Sequence, residues 1–138
     1  MAYYFKIGLL ILNEDKTKFL VCEKDKHDVT DSYIMPGGQM NETTVEECLR
    51  NEIKEELGCK VDFKTLKYID EFSDSAAGQP EREIAMMLYQ ADIIGEPKPS
   101  SEIKYIHWIG KEGAANDRVS PIVRNKIIPA LVEQGILK

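Results

Sequence analysis

The sequence has few cysteines, no long hydrophobic run and no excess of basic side chains, and each shortage argues against a class of protein. Cys22, Cys48 and Cys59 are an odd number without metal-ligand spacing, which disfavours a disulfide framework or a zinc site. No apolar stretch approaches the roughly 20 residues that span a bilayer, and the N-terminus lacks the features of a signal peptide. We therefore expect a soluble, cytoplasmic protein.

The balance of charge also limits the partners. The chain carries 18 basic and 24 acidic side chains, for a formal net charge of -6. Such a chain has no basic field for bulk nucleic-acid binding, although an acidic protein can bind an anionic substrate through metal ions. Its 138 residues, 43% of them hydrophobic, suffice for a core without disulfides. We predict a single domain over residues 1–138.

Runs of apolar and alternating residues predict a series of strands. The predicted strands are 3–12, 19–23, 33–35, 61–72, 83–94 and 103–109. The first two should form an antiparallel hairpin, and the fifth should cross the centre of the sheet. Pro36-Gly37-Gly38 predicts a tight turn, Ser73 to Arg82 predicts a loop, and Ser120-Pro121 predicts the start of a C-terminal helix with a break near Pro129.

The most clearly marked element is a helix between the glycine turn and Gly58. Thr43 or Thr44 can cap its N-terminus, with a glutamate three residues later, and Gly58 is the expected C-terminal stop. Its apolar stripe consists of Val45, Leu49, Ile53 and Leu57.

Three carboxylates lie beside that stripe. At about 100° per residue, Glu52, Glu55 and Glu56 fall within an arc of roughly 100°. Glutamates are common on solvated helix faces, but here they flank the buried side and offer the hard oxygen ligands that magnesium or manganese prefers. A bound cation would favour phosphate chemistry, and a remaining carboxylate could accept a proton from water.

The glycine turn and the acidic helix together resemble the Nudix box, G-x5-E-x7-R-E-U-x-E-E-x-G-U with U aliphatic. The matching residues are Gly38, Glu52, Ile53, Glu55, Glu56 and Gly58, with Cys59 at the last aliphatic position. Two features depart from the pattern. The loop after Gly38 is one residue short, so the first glutamate falls on Thr43 or, with a shift, on Glu42, and Asn51 replaces the arginine that orients a catalytic glutamate in the family.

The resemblance implies an α/β fold, a Nudix-like α/β/α sandwich with a mixed β-sheet. It also implies hydrolysis of the diphosphate linkage in a nucleoside diphosphate derivative by water attack, with Mg²⁺ or Mn²⁺. Glu52 and Glu56 would be principal metal ligands and Glu55 a ligand or the base. The alternative, motivated by Asn51 and the short loop, is a Nudix-like domain that binds a nucleotide without turning it over.

Residues outside the helix complete the predicted site. Glu102 is a candidate further ligand or base, because many Nudix enzymes draw a carboxylate from a later loop. The candidate substrate-binding residues are Gly37, Gly38, Tyr33 and Arg82, and Lys24, Lys26 and His27 are candidates for phosphate contacts. We expect a small-molecule substrate, no membrane association, and a monomer or homodimer.

Overall fold

The computed structural model of the protein describes residues 3–24, 32–40, 44–77 and 79–138. Along these residues, three strands precede the first helix, and three more strands separate it from the C-terminal helical turns. The elements are β1 (Tyr3–Leu10), β2 (Phe19–Lys24), β3 (Gly37–Gln39), α1 (Val45–Leu57), β4 (Lys60–Ala76), β5 (Gln79–Ile94), β6 (Ile103–Ile109), a 3₁₀ turn (Lys111–Ala115), a π-helical turn (Val123–Ile127) and α2 (Ile128–Glu133).

Four strands form a mixed sheet in the order β3-β1-β5-β4, and β2 pairs with β6 in a second sheet. In the larger sheet, β1 is antiparallel to β3 and parallel to β5, and β5 is antiparallel to β4. The predicted central position of the fifth strand is confirmed, since β5 lies between β1 and β4.

Apolar residues occupy both faces of the larger sheet, because alternate side chains of each strand point to opposite sides. On one face, Ile7 and Leu9 of β1 join the buried stripe of α1 in one core. On the other face, Met86 and Leu88 of β5 join the C-terminal helical segment, which consists of the π-helical turn and α2 (residues 123–133), in a second core. The sheet therefore lies between two helical layers, and the predicted α/β/α sandwich is confirmed.

The predicted hairpin between the first two strands is wrong beyond its turn. Leu12 and Phe19 form one antiparallel bridge next to that turn, but the strands then diverge into different sheets. The cause is competition for hydrogen-bonding edges, since β3 and β5 occupy the two edges of β1. β2 satisfies its backbone by pairing with β6 instead.

Two other predictions along the sheet also need correction. The segment Ser73 to Arg82 is mostly strand, because β4 extends to Ala76 and β5 begins at Gln79. The glycines form β3 rather than a turn, and the predicted strand at 33–35 contributes only isolated bridges. Gly37 has a φ of 133°, and a Cβ there would lie 2.0 Å from the carbonyl oxygen of Ile7. Glycine is needed for this close approach to β1.

The helix termini agree with the sequence. The Thr44 hydroxyl accepts a hydrogen bond of 3.1 Å from the backbone N–H of Glu47, and Gly58 ends α1 with a φ of 66°. The other capping candidate, Thr43, lies outside the described residues. Near the C-terminus, the break expected at Pro129 takes the form of the wider π-helical turn just before it, because proline has no N–H for the α-helical ladder.

Candidate functional site

A cleft of about 350 Å³ opens beside α1 on the face of the larger sheet that carries the C-terminal helical segment. Its lining comes from β1, the end of β2, β3, β5, the end of β4, α1 and the loops around them. The lining residues are Tyr4, Lys6, Lys24, Ile34, Met35, Gly37, Gly38, Gln39, Glu52, Ala76, Ala77, Ile84, Met86, Glu102, Ser120 and Ile122.

The cleft has two chemically different halves because the strands that form it differ in composition. The ionic half lies toward β3 and α1 and contains Lys6, Lys24, Glu52 and Glu102. The apolar half lies toward β5 and the C-terminal helical segment, and its residues are Met35, Ala76, Ile84, Met86 and Ile122. A ligand with a charged end and an apolar end matches this division.

Glu56 joins the acidic helix to the glycine strand. Its side chain is 4% exposed, and its Oε1 accepts a hydrogen bond of 2.9 Å from the backbone N–H of Gly37. Burial raises the pKa of Glu56 to about 7, although the Gly37 hydrogen bond and the positive charge of Lys24 oppose the shift. Burial makes the charged form of Glu56 unfavourable. A cation bound beside it would compensate that charge.

Glu52 lies one helical turn away, against Gly38. A Cβ at Gly38 would lie 2.5 Å from the Glu52 carboxyl carbon, so a larger residue there would displace this carboxylate from its position. Burial raises the pKa of Glu52, and repulsion by Glu55 and Glu102 raises it further, against the attraction of Lys24. Carboxylates thus converge on Glu52 from the helix and from the loop before β6.

Two other predicted site residues differ in their exposure. Glu55 is exposed on α1, where a ligand or solvent can reach it. Glu102 lines the cleft, and its Oε1 lies 3.5 Å from Nζ of Lys24. The Lys24 ammonium therefore joins the end of β2 to the loop before β6, where Glu102 lies.

The donors suit a hard divalent cation, but they are not gathered into a complete ligand set. Within the part of the chain that the structure describes, no three His, Cys, Asp or Glu side chains lie close enough together to hold a metal ion. The oxygen chemistry of Glu52 and Glu56 nevertheless fits magnesium or manganese, and burial disfavours both carboxylates in their charged form. Glu42, the alternative acidic position, lies outside the described residues.

Tyr33 and Arg82 are close to the cleft without lining its described wall. Tyr33 stacks on His107, with ring centroids 4.4 Å apart, and the guanidinium carbon of Arg118 lies 4.9 Å from the centroid of the Tyr33 ring. Arg82 donates a hydrogen bond to the Tyr4 hydroxyl, and Tyr4 lines the cleft. Arg82 thus contacts a residue of the cleft wall but does not line the cleft itself. Lys26 and His27 lie outside the described residues.

Lys6 and Ser120 are cleft residues that the sequence analysis missed. Lys6 had one available signal, because a charged residue interrupts the apolar run of β1. Ser120 resembles a helix cap in the sequence, yet its hydroxyl is buried and has no hydrogen-bond partner among the described residues. The position of Ser120 in the cleft wall depends on the tertiary structure and has no local signature in the sequence.

The described residues contain no helix that is both long and apolar enough to cross a membrane. No curated protein matches the chain significantly. A family model described as the NUDIX domain matches residues 4–131.

Several solved structures share the fold at low sequence identity. The MutT protein from Methanosarcina mazei Go1 has a TM-score of 0.75 and 17% identity over 96% of each chain. The Escherichia coli ORF135 protein has a TM-score of 0.73 and 19% identity, covering 98% of this chain and 92% of that one. The NUDIX domain of Shewanella oneidensis NrtR, solved with ADP ribose, has a TM-score of 0.68 and 10% identity, covering 97% and 89%.

Proposed function

We propose that this chain, which belongs to the Nudix family, is a pyrophosphohydrolase that uses Mg²⁺ or Mn²⁺ to hydrolyse the diphosphate linkage of a nucleoside diphosphate derivative by water attack. One observation carries the proposal. The hydrogen bond from Gly37 to Glu56 and the close contact of Gly38 with Glu52 bring the acidic helix to the ionic half of the cleft. Gly38, Glu52 and Glu56 are among the residues that match the Nudix box.

Each acidic side chain has a distinct proposed role. Glu52 and Glu56 hold the cation, which when bound neutralises phosphate charge and lowers the pKa of water. Glu55 is a further ligand or the base that accepts the proton of the attacking water, and its exposure allows either role. Glu102 supplies an additional ligand or base from the loop before β6, where it forms an ion pair with Lys24.

The two halves of the cleft give the substrate an orientation. The phosphates bind in the ionic half, and the nucleoside lies over the apolar side chains of β5 and the C-terminal helical segment. Ser120 also lines the cleft, and its hydroxyl has no hydrogen-bond partner among the described residues. A hydroxyl can donate or accept, so it can pair with a polar edge of the base.

A substrate panel tests the proposal. We expect the purified protein to release nucleoside monophosphate from at least one member of a set of nucleoside triphosphates, nucleotide sugars, dinucleoside polyphosphates and capped RNA. The release should require Mg²⁺ or Mn²⁺ and stop on addition of EDTA. Turnover that persists in EDTA would contradict the metal-dependent mechanism.

A sensor that binds nucleotide without hydrolysis is the second candidate, and Asn51 in place of the family arginine favours it. The NrtR domain shows that this fold can be solved in complex with ADP ribose. Calorimetry distinguishes the two functions: stable nucleotide binding without product across several metals supports the sensor, and steady release of monophosphate supports the enzyme.

The cytoplasmic location, the single domain over residues 1–138 and the monomeric or homodimeric state stay predictions.

A further inference from the structure

Lys6 lies at the boundary between the two halves of the cleft. In the register of the larger sheet it is opposite Gln39 of β3 on one side and Met86 of β5 on the other. Gln39 lies on the strand next to the carboxylates, and Met86 belongs to the apolar half. Lys6 therefore lines the cleft between its ionic half and its apolar half. A ligand with one charged end and one apolar end would change character at this position.

The surroundings of Lys6 do not neutralise it directly. None of the ion pairs between described residues includes Lys6. Burial lowers the pKa of Lys6, and the charge of Lys24 lowers it further, whereas Glu56, Glu52 and Glu102 raise it from a distance. A lysine in the middle of a central strand is unfavourable without a close anionic partner, because its charge loses hydration there.

The order of the strands across the sheet indicates which anionic group of a substrate would lie next to Lys6. Glu52 and Glu56 lie against β3, and the apolar half, where the nucleoside is proposed to bind, lies toward β5. Lys6 is on β1, which lies between these two strands. The phosphate group attached directly to the nucleoside occupies this intermediate position when the substrate spans the cleft. The more distal phosphates extend toward Glu52 and Glu56.

We propose that Lys6 binds a non-bridging oxygen of the phosphate attached to the nucleoside and so fixes which phosphate lies next to the carboxylates. The proposal rests on the proposed function for the orientation of the substrate. It assigns Lys6 a binding role that is independent of the cation, so the interaction should also form with a nucleoside monophosphate.

The experiment compares nucleoside monophosphates with unphosphorylated nucleosides in EDTA, where no cation contributes. Calorimetric or NMR titrations use AMP, GMP, CMP and UMP, each with its nucleoside. We expect Lys6→Met to weaken the best monophosphate by about tenfold or more and to leave its nucleoside unchanged. Lys6→Arg should retain part of the monophosphate affinity. Lys67→Met, which removes an exposed lysine from β4 of the same sheet, is the matched control and should stay within about twofold.

Thermal unfolding separates a ligand-binding lysine from a structural one. Without ligand, Lys6→Met should melt at or above the wild-type temperature, because it removes a charge that burial disfavours. Unchanged monophosphate affinity in Lys6→Met, equal weakening of nucleoside and monophosphate, or a wild type that does not prefer any monophosphate would overturn the proposal. If Lys6→Met is poorly folded, Lys6→Gln and Lys6→Arg replace it, and equal monophosphate affinities of these two would also overturn it.

The role of Lys6 and the enzymatic function can each fail without the other. Mg²⁺-dependent turnover together with a Lys6→Met protein that binds monophosphate normally would remove only the role of Lys6. A phosphate-dependent preference lost in Lys6→Met, without turnover of any substrate, would remove only the enzymatic function.

Discussion

At the scale of single residues, Glu56 connects the stability of the fold to the proposed metal site. Its carboxylate is buried and bonded to Gly37 at a site where a cation would compensate its charge. The same burial that prepares the site therefore makes the metal-free protein sensitive to pH.

The pH dependence has a definite sign. Because the folded-state pKa of Glu56 is about 7, above the ordinary 4.5, the folded state retains its proton between these values while the unfolded state releases it. Stability should fall as pH rises through this window, by a total of about 3 kcal/mol. The measurement is the free energy of urea unfolding in EDTA from pH 4 to 8. Glu56→Gln is the isosteric control and should lack this component, so parallel wild-type and variant curves would contradict the interpretation.

At the scale of elements, the site depends on the close packing of β3 against α1. Gly38 and Glu52 are in contact across this interface, and a larger side chain at position 38 would push the Glu52 carboxylate away. The position of Glu52 is thus set by a residue that has no chemistry of its own.

Gly38→Ala tests this packing. The new methyl group would overlap the Glu52 carboxylate, so we expect turnover to fall by about tenfold or more through displacement of that ligand. Gly58→Ala is a matched control in the same region, because nothing lies within 4 Å of its new Cβ. Its positive φ should cost about 1 kcal/mol of stability and leave kcat unchanged. Equal activity of the two variants would refute the role assigned to the contact.

The second element-scale prediction concerns Asn51 and Glu55, which are one helical turn apart on the exposed side of α1. An arginine at position 51 could hold the Glu55 carboxylate through an i,i+4 ion pair. We expect Asn51→Arg to raise kcat by about threefold or more if Glu55 is under-oriented in the wild type. Asn51→Lys should raise it less, because lysine lacks the two-pronged geometry. A slower Asn51→Arg enzyme would indicate a site organised around asparagine.

At the scale of the whole molecule, the predictable features were the local ones. α1, its Thr44 cap and its Gly58 stop follow from short-range capping and periodicity, and the resemblance to the Nudix box supplied the fold class. The pairing of β1 with β5 joins residues about 80 positions apart, and no local pattern encodes it. The same long-range pairing places Lys6 in the cleft, which is why sequence reasoning missed it.

The most direct test of the account is the rate of monophosphate release at saturating Mg²⁺ from the best substrate of the panel. Glu52→Gln, Glu55→Gln and Glu56→Gln remove the proposed ligands or base one at a time, and Glu46→Gln removes an exposed glutamate from the first turn of α1. The account predicts that each of the three loses most of the activity, by about 100-fold or more, while Glu46→Gln keeps the wild-type rate. A Glu56→Gln protein as active as wild type would contradict it.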